Sequence, residues 1–377
     1  MQRSVTQKGG WKGILIGLIC GLVLGFFLTV LPSLLLLYPI LIIVGTITMM
    51  TLQLRFGISA FMTAALATVM MGSMFLSPLM GILYLVMVCV PAFVTSWMIC
   101  SGKPFVRLIM TGTIASLLGQ VAALLLYQIL VQSTPIKDFV DALVSAVRDV
   151  LPAAALEPYG PILSTLLDNG YLTAPAGYIP GQALSGEILK EVFCSLLSML
   201  EETYAAQAPA AMLTAALYSG IPGIFLAVHM AFWKRVGQHS ETILPPHFML
   251  RIPPSLSFLL LAGTAVLFVL YLTNVVSYII FNAIWTGIIV LYALQGVSVL
   301  CFFLQRRKVS FLWQAVLAII GLVLLRFLFF LLGLVEQSFY LRGIGRPAFL
   351  VMRRGSQDNS EEDQEKKDRD HHDPDRQ

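Results

Sequence analysis

The stretch IPPSLSFLLLAGTAVLFVLYLTNVVSYIIFNAIWTGIIVLYALQGVSVLCFFLQ, residues 252–305, runs for 54 residues without a charged side chain. At a rise of 1.5 Å per residue an unbroken helix of that length would be roughly 80 Å long, whereas a bilayer core is about 30 Å thick. Two antiparallel crossings fit the length, and Thr273-Asn274 is the polar point at which they turn. Inside hydrocarbon the backbone amides must satisfy one another, so each crossing is a helix.

Working outward, the same arithmetic repeats. Residues 13–54 contain no charge, which allows two spans broken at Pro32-Ser33, and residues 56–102 allow two more broken near Ser77-Pro78. A fifth span is expected at 108–132, a sixth at about 207–232, and a ninth at 311–335, interrupted by Arg326. The sequence therefore predicts an all-α polytopic transmembrane helix bundle of eight or nine spans. Composition agrees: only 12% of the 377 residues are charged and 58% are hydrophobic. A soluble domain has roughly 25% charged residues, so this chain is neither a soluble enzyme nor a disordered polymer.

Orientation follows from the Lys and Arg residues of the short loops. Arg3, Lys8, Lys12, Arg55, Lys103, Arg107, Lys234, Arg235, Arg251, Arg306, Arg307 and Lys308 fall on one side, and the turns at 31–33, 77–78 and 273–275 carry none. This predicts an N-terminus in the cytoplasm. Nine spans would send the end of the chain outside, whereas Arg342, Arg346, Arg353 and Arg354 favour the inside. The basic, apolar start lacks an A-x-A-like cleavage site, so an uncleaved first helix is expected. Five cysteines, four of them in expected spans, form no disulfide or metal pattern.

Residues 133–204 form an external segment with nine acidic residues against three basic ones. Ile136, Phe139, Val140, Leu143, Val144 and Val147 draw one helical stripe, with Thr134 as N-cap, Pro135 in the first turn and Pro152 as terminator. A second stripe joins Ile188, Val192, Phe193, Leu196 and Leu200. These two helices are expected to lie on the membrane or cap the bundle, or to act as a lid over an outward-facing cavity. The end of the chain, 346–377, is polar and expected to be disordered; His371-His372 is a weak metal motif at most.

Within the spans, small residues recur at every fourth position: Gly13, Gly17, Gly21 and Gly25 in the first, and Ala60, Ala64, Thr68 and Gly72 in the third. Such columns let helix backbones approach closely, either within one bundle or against a separate membrane partner. Gln120, Gln128, His229, Asn282, Gln295 and Arg326 are the polar groups expected to face a bundle interior. Of these, Gln120, Asn282, Gln295 and Arg326 are the candidate ligand-binding residues. The spans contain no Asp or Glu, which argues against an acidic ion site and against paired-carboxylate hydrolysis. H-E-x-x-H, G-x-S-x-G and G-x-x-x-x-G-K-[ST] are all absent.

Several stretches of the C-terminal half carry a resemblance. They are Phe232-Trp233-Lys234-Arg235-Val236-Gly237, then Leu244-Pro245-Pro246-His247-Phe248, Leu250-Arg251-Ile252-Pro253, and Gln295-Gly296 shortly before Phe302-Phe303-Leu304-Gln305-Arg306-Arg307. Gly333-Leu334, Glu336 and Arg342 close the series. In this order they resemble the YybS-like bacterial membrane proteins, a family of unknown function, over about 205–345. His247 is an insertion relative to the family's Leu-Pro-Pro-Phe loop. That family in turn is similar to the substrate-capture (S) components of energy-coupling-factor transporters. The resemblance implies a helical bundle that holds one small molecule near its outer face and docks a partner membrane subunit through small-residue faces.

The expected organisation is an N-terminal transmembrane bundle at 1–132, external helices at 133–204, a C-terminal transmembrane bundle at 205–345 and a polar tail at 346–377. The expected function is non-enzymatic: a small-molecule capture or transport component, without cofactor or metal. Its partners would be the lipid bilayer, a small-molecule ligand and another membrane subunit, but not nucleic acid. The alternative is a cell-envelope scaffold or interaction protein without a ligand.

Overall fold

The computed structural model describes residues 10–30, 38–75, 77–175, 178–181, 184, 186–232, 250–339 and 341–342. The Pro32-Ser33 break, the 233–249 stretches of the resemblance and the 346–377 tail lie outside the described residues. Every regular element among the described residues is helical. Among the described residues, seven helical stretches are long and apolar enough to cross a membrane, or eight when one bent pair is taken as a broken span. The protein is a multi-pass, all-α membrane protein.

The chain divides into two compact units. One comprises residues 1–245 with 263–288, the other 246–262 with 289–377. In the first unit, α1 (Trp11–Val30), α2 (Tyr38–Phe56) and α3 (Ile58–Phe75) follow the expected spacing. The expected break at Ser77-Pro78 is the N-cap of α4 (Pro78–Tyr84), where the Ser77 hydroxyl accepts from Met80 N at 3.3 Å. The same span continues through a wide π-helical turn, Leu85–Cys89, into α5 (Val90–Cys100). Pro91 explains that turn: it has no N–H to donate one turn back, and a wider turn relieves the clash of its ring. The fifth span is α6 (Phe105–Val131).

Residues 133–204 contain a hydrophobic core of their own. α7 (Pro135–Ser145) starts at Thr134, whose hydroxyl accepts from Lys137 N at 3.3 Å, and its helical path ends before Pro152 as expected. Val140 and Val147 from its stripe pack with Leu156, Leu163, Leu167 and Leu172, and with Leu189, Val192, Cys194 and Leu197. The middle of the segment, which reads as a Pro- and Gly-marked connection, thus supplies α8 (Gly160–Asp168) and a large share of this core. The second stripe belongs to α9 (Gly186–Gly220), a 35-residue helix that continues from the cap into the sixth span and on to α10 (Pro222–Phe232). The expected boundary at 204–205 falls in mid-helix.

α11 (Pro254–Leu272) and α12 (Tyr278–Arg306) are the expected hairpin, and Asn274 takes a positive φ of 56° at its turn. The second unit contains the start of α11, most of α12, and two 14-residue helices, α13 (Phe311–Leu324) and α14 (Arg326–Phe339). These two are bent by 108° at the break beside Arg326. The ninth expected span is therefore not a straight rod.

Candidate functional site

The small-residue columns face each other. A Cβ on Gly17 would run into the Ala60 backbone, one on Gly21 into the Ala64 carbonyl, and one on Gly25 would come within 2.5 Å of Met71 Cβ. Gly13 sits against Phe56 with Ala60 just beyond it. The Thr68 hydroxyl lies 3.0 Å from the Gly21 carbonyl of α1 and 2.9 Å from Ala64 O in its own helix. Close approach of the two backbones explains the four-residue spacing, and it makes α1 and α3 one another's packing partner.

Gln120 and Asn282 belong to the first compact unit, Gln295 and Arg326 to the second. Gln120 is buried on α6, and its amide donates to Ser116 O at 3.2 Å and to Ser116 Oγ at 3.4 Å. Asn282 is half-buried near the start of α12, and Arg326 is half-buried at the first turn of α14. Gln295 is fully buried and sits in a polar knot. Its Oε1 accepts from Ile252 N at 3.2 Å, and its Nε2 donates to Gly333 O at 3.1 Å and to Gln337 Oε1 at 3.0 Å. Gln337 in turn donates to Ile252 O at 3.2 Å.

Beside this knot lies an ion pair with both side chains out of solvent. Arg342 Nε donates to Glu336 Oε1 at 3.1 Å, Nη1 donates to Ser298 Oγ at 2.7 Å, and Nη2 to Leu250 O at 3.0 Å. The second carboxylate oxygen accepts from the Arg342 backbone N at 3.3 Å. Gly296 and Gly333 lie directly against the backbones of Phe329 and Tyr292, which lets α14 approach α12 closely. Motifs separate in the sequence (Leu250 to Pro253, Gln295-Gly296, Gly333, Glu336 and Arg342) thus meet in one place. With these hydrogen bonds in place, the arrangement joins the two helices to the start of α11.

The first unit differs in this respect. Thr48, Thr51 and Thr63 donate to carbonyls one turn back at 2.7–2.8 Å. The hydroxyls of Thr46, Ser59, Tyr84, Ser96, Thr113 and Ser219 and the Gln53 side-chain oxygen are buried without a hydrogen-bond partner. They come from α2, α3, α4, α5, α6 and α9. Tyr84 Oη lies beside Gly45, next to Thr46. The Thr113 hydroxyl lies against Gly220, and Gly112 lies against both Gly220 and Thr95. Buried polar atoms are nearly always satisfied, by protein or by a bound molecule, so seven among the described residues of one unit need an explanation. Residue type gave no signal for them, because hydroxyls in spans ordinarily bond to their own helix.

At the cap junction, the Tyr127 hydroxyl donates to Asp138 Oδ2 at 2.5 Å. The Asp138 carboxyl is held below the ordinary aspartate range by hydrogen bonds from Ser133 and from Tyr127, with Lys137 adding a smaller attraction.

These features define a multi-pass α-helical membrane protein with a folded cap. Residues 22–155 match the profile of the family described as "Predicted membrane protein (DUF2232)", the YybS-like family. The match covers α2 to α7 and part of α1, not the 205–345 stretch on which the resemblance was read. Short Pro, Gly and Arg motifs recur at many helix ends, whereas the matched part is the bundle with its first cap helix. None of the curated proteins and none of the solved structures matches the chain.

Proposed function

We propose that the protein is a non-enzymatic capture or transport component that takes a small polar molecule between the helices of its first unit. The observation that carries this reading is the set of partnerless hydroxyls on Thr46, Ser59, Tyr84, Ser96, Thr113 and Ser219. Hydroxyls both donate and accept, and this set contains no ionised side chain. The ligand it suits is therefore an uncharged molecule bearing hydroxyl, amide or ring-nitrogen groups. Binding would supply hydrogen bonds to these hydroxyls, each worth about 0.5–1.5 kcal/mol net. The cap follows the end of α6 opposite Lys103 and Arg107, which by the positive-inside rule would be the outer face of a bacterial plasma membrane. Energy for release would come from another membrane subunit, as in the transporter components that the family resembles.

The scaffold reading draws on the polar groups already engaged by protein partners, Gln120 and Gln295 above all. One experiment separates the two. The protein and its Tyr84→Phe and Ser96→Ala variants are purified in mild detergent, and any bound small molecule is identified by mass spectrometry. Capture predicts a molecule that co-purifies with the parent and is lost from the variants, whose own thermal stability stays level or rises. A repeatedly empty parent with no co-eluting subunit would favour the scaffold.

A further inference from the structure

We infer that α13 and α14 form a hairpin that does not cross the membrane, so that the chain beyond Arg342 stays on the face from which α11 enters. The side of this tail bears on topology alone and is independent of the capture reading.

The argument is one of level. α11 runs from Pro254 to Leu272, and α12 returns from Tyr278 to Arg306, so the 273–277 turn lies on one membrane face. Residues 250–253 and the Arg306–Lys308 loop lie toward the other. A ninth span starting at Phe311 would have to end near the turn. Instead, the end of α14 lies at the opposite end of α11. Gln337 donates to Ile252 O at 3.2 Å, and Arg342 donates to Leu250 O at 3.0 Å and Ser298 Oγ at 2.7 Å. Nineteen helical residues, about 28 Å, separate that level from Leu272.

Helix length agrees. α13 and α14 have 14 residues each, about 21 Å, which is short of the roughly 30 Å core. The 108° bend between them prevents their lengths from adding. α14 is also two-faced: Phe329, Phe330, Gly333 and Glu336 are buried, and Phe327, Leu328, Leu331, Val335 and Phe339 are exposed. A helix packed on α12 with one face to protein and the other to lipid has this pattern. The topology also removes the conflict in the sequence, because Arg346, Arg353 and Arg354 then share a face with Arg306, Arg307 and Lys308.

The test is relative labelling with a membrane-impermeant maleimide. Single cysteines are introduced as Ser360→Cys in the tail, Lys308→Cys in the α12–α13 loop and Val275→Cys at the turn. Each is read above the background of the unsubstituted chain, in intact cells and after permeabilisation. We expect Ser360→Cys to label with Lys308→Cys and oppositely to Val275→Cys. Labelling of Ser360→Cys together with Val275→Cys would overturn the inference. Should the loop or turn variant fail to accumulate, tryptic removal of the tail from the unmodified chain reports the same point. Cleavage at Lys366, Lys367 and Arg369 from the same side of the membrane as cleavage at Arg306, Arg307 and Lys308 supports the hairpin, and cleavage from the opposite side overturns it.

Discussion

Glu336 and Arg342 hold each other at 3.1 Å with no exposure of either side chain, so neither charge has water as an alternative partner. Removing one member of such a pair typically destabilises by about 3–5 kcal/mol, because the other charge is left buried and uncompensated. Glu336→Gln should therefore lower the thermal midpoint in detergent by many degrees, and adding Arg342→Met should recover part of the loss. A single variant as stable as the parent would show that the pair contributes nothing. In the first unit the sensitive atom is a hydrogen. Gly21→Val places carbon against the Ala64 carbonyl, and overpacking of this kind costs about 1–3 kcal/mol. The expected result is a lower midpoint than for Ile16→Val, a substitution that adds no atoms; equal midpoints would contradict the α1–α3 contact. Asp138 supplies a pH signature. Its carboxyl lies below the ordinary range in the fold, so its contribution is present above about pH 4 and fades as acid protonates the folded form. The difference in midpoint between parent and Asp138→Asn should close as pH falls from 6 to 3. A difference independent of pH would mean that the Ser133 and Tyr127 bonds do not hold the carboxylate.

At the scale of elements, the cap and the spans share α9 but not a core. Leu189 is 2% exposed in the cap core, and Leu→Ala at such a site costs about 2–5 kcal/mol. Leu189→Ala should raise amide hydrogen exchange across 135–197 while exchange in 210–231 stays slow, since the latter amides face the bundle and lipid. Uniform acceleration along α9 would mean that cap and span unfold as one body. The helical elements were largely legible, because a run such as residues 13–54 carries its solvent in its composition. The cap was half legible. The stripe through Val140 and Val147 has helical periodicity, whereas Leu156, Leu163 and Leu172 acquire meaning only through tertiary contacts. The continuity of α9 through Glu201 and Glu202 was hidden by the change from polar to apolar surroundings along one helix.

Across the whole molecule, what the sequence could not convey is which polar groups find partners. Gln295 reads as a cavity residue because its partners, Ile252 and Gly333, are far away in the chain. Ser96 and Tyr84 read as ordinary span residues because their lack of a partner depends on several helices at once. The glycine and alanine columns were legible as close-packing faces, and the structure supplies the pairing. All of this presupposes that lipid surrounds the helices, whose outward residues include Leu66, Met70, Leu118, Phe258 and Leu259, each more than 60% exposed. The most direct measurement is an alkaline carbonate wash of membranes from cells that produce the chain, followed by detergent extraction. The chain should stay in the carbonate pellet and enter solution only with detergent; its release into the carbonate supernatant would contradict the account.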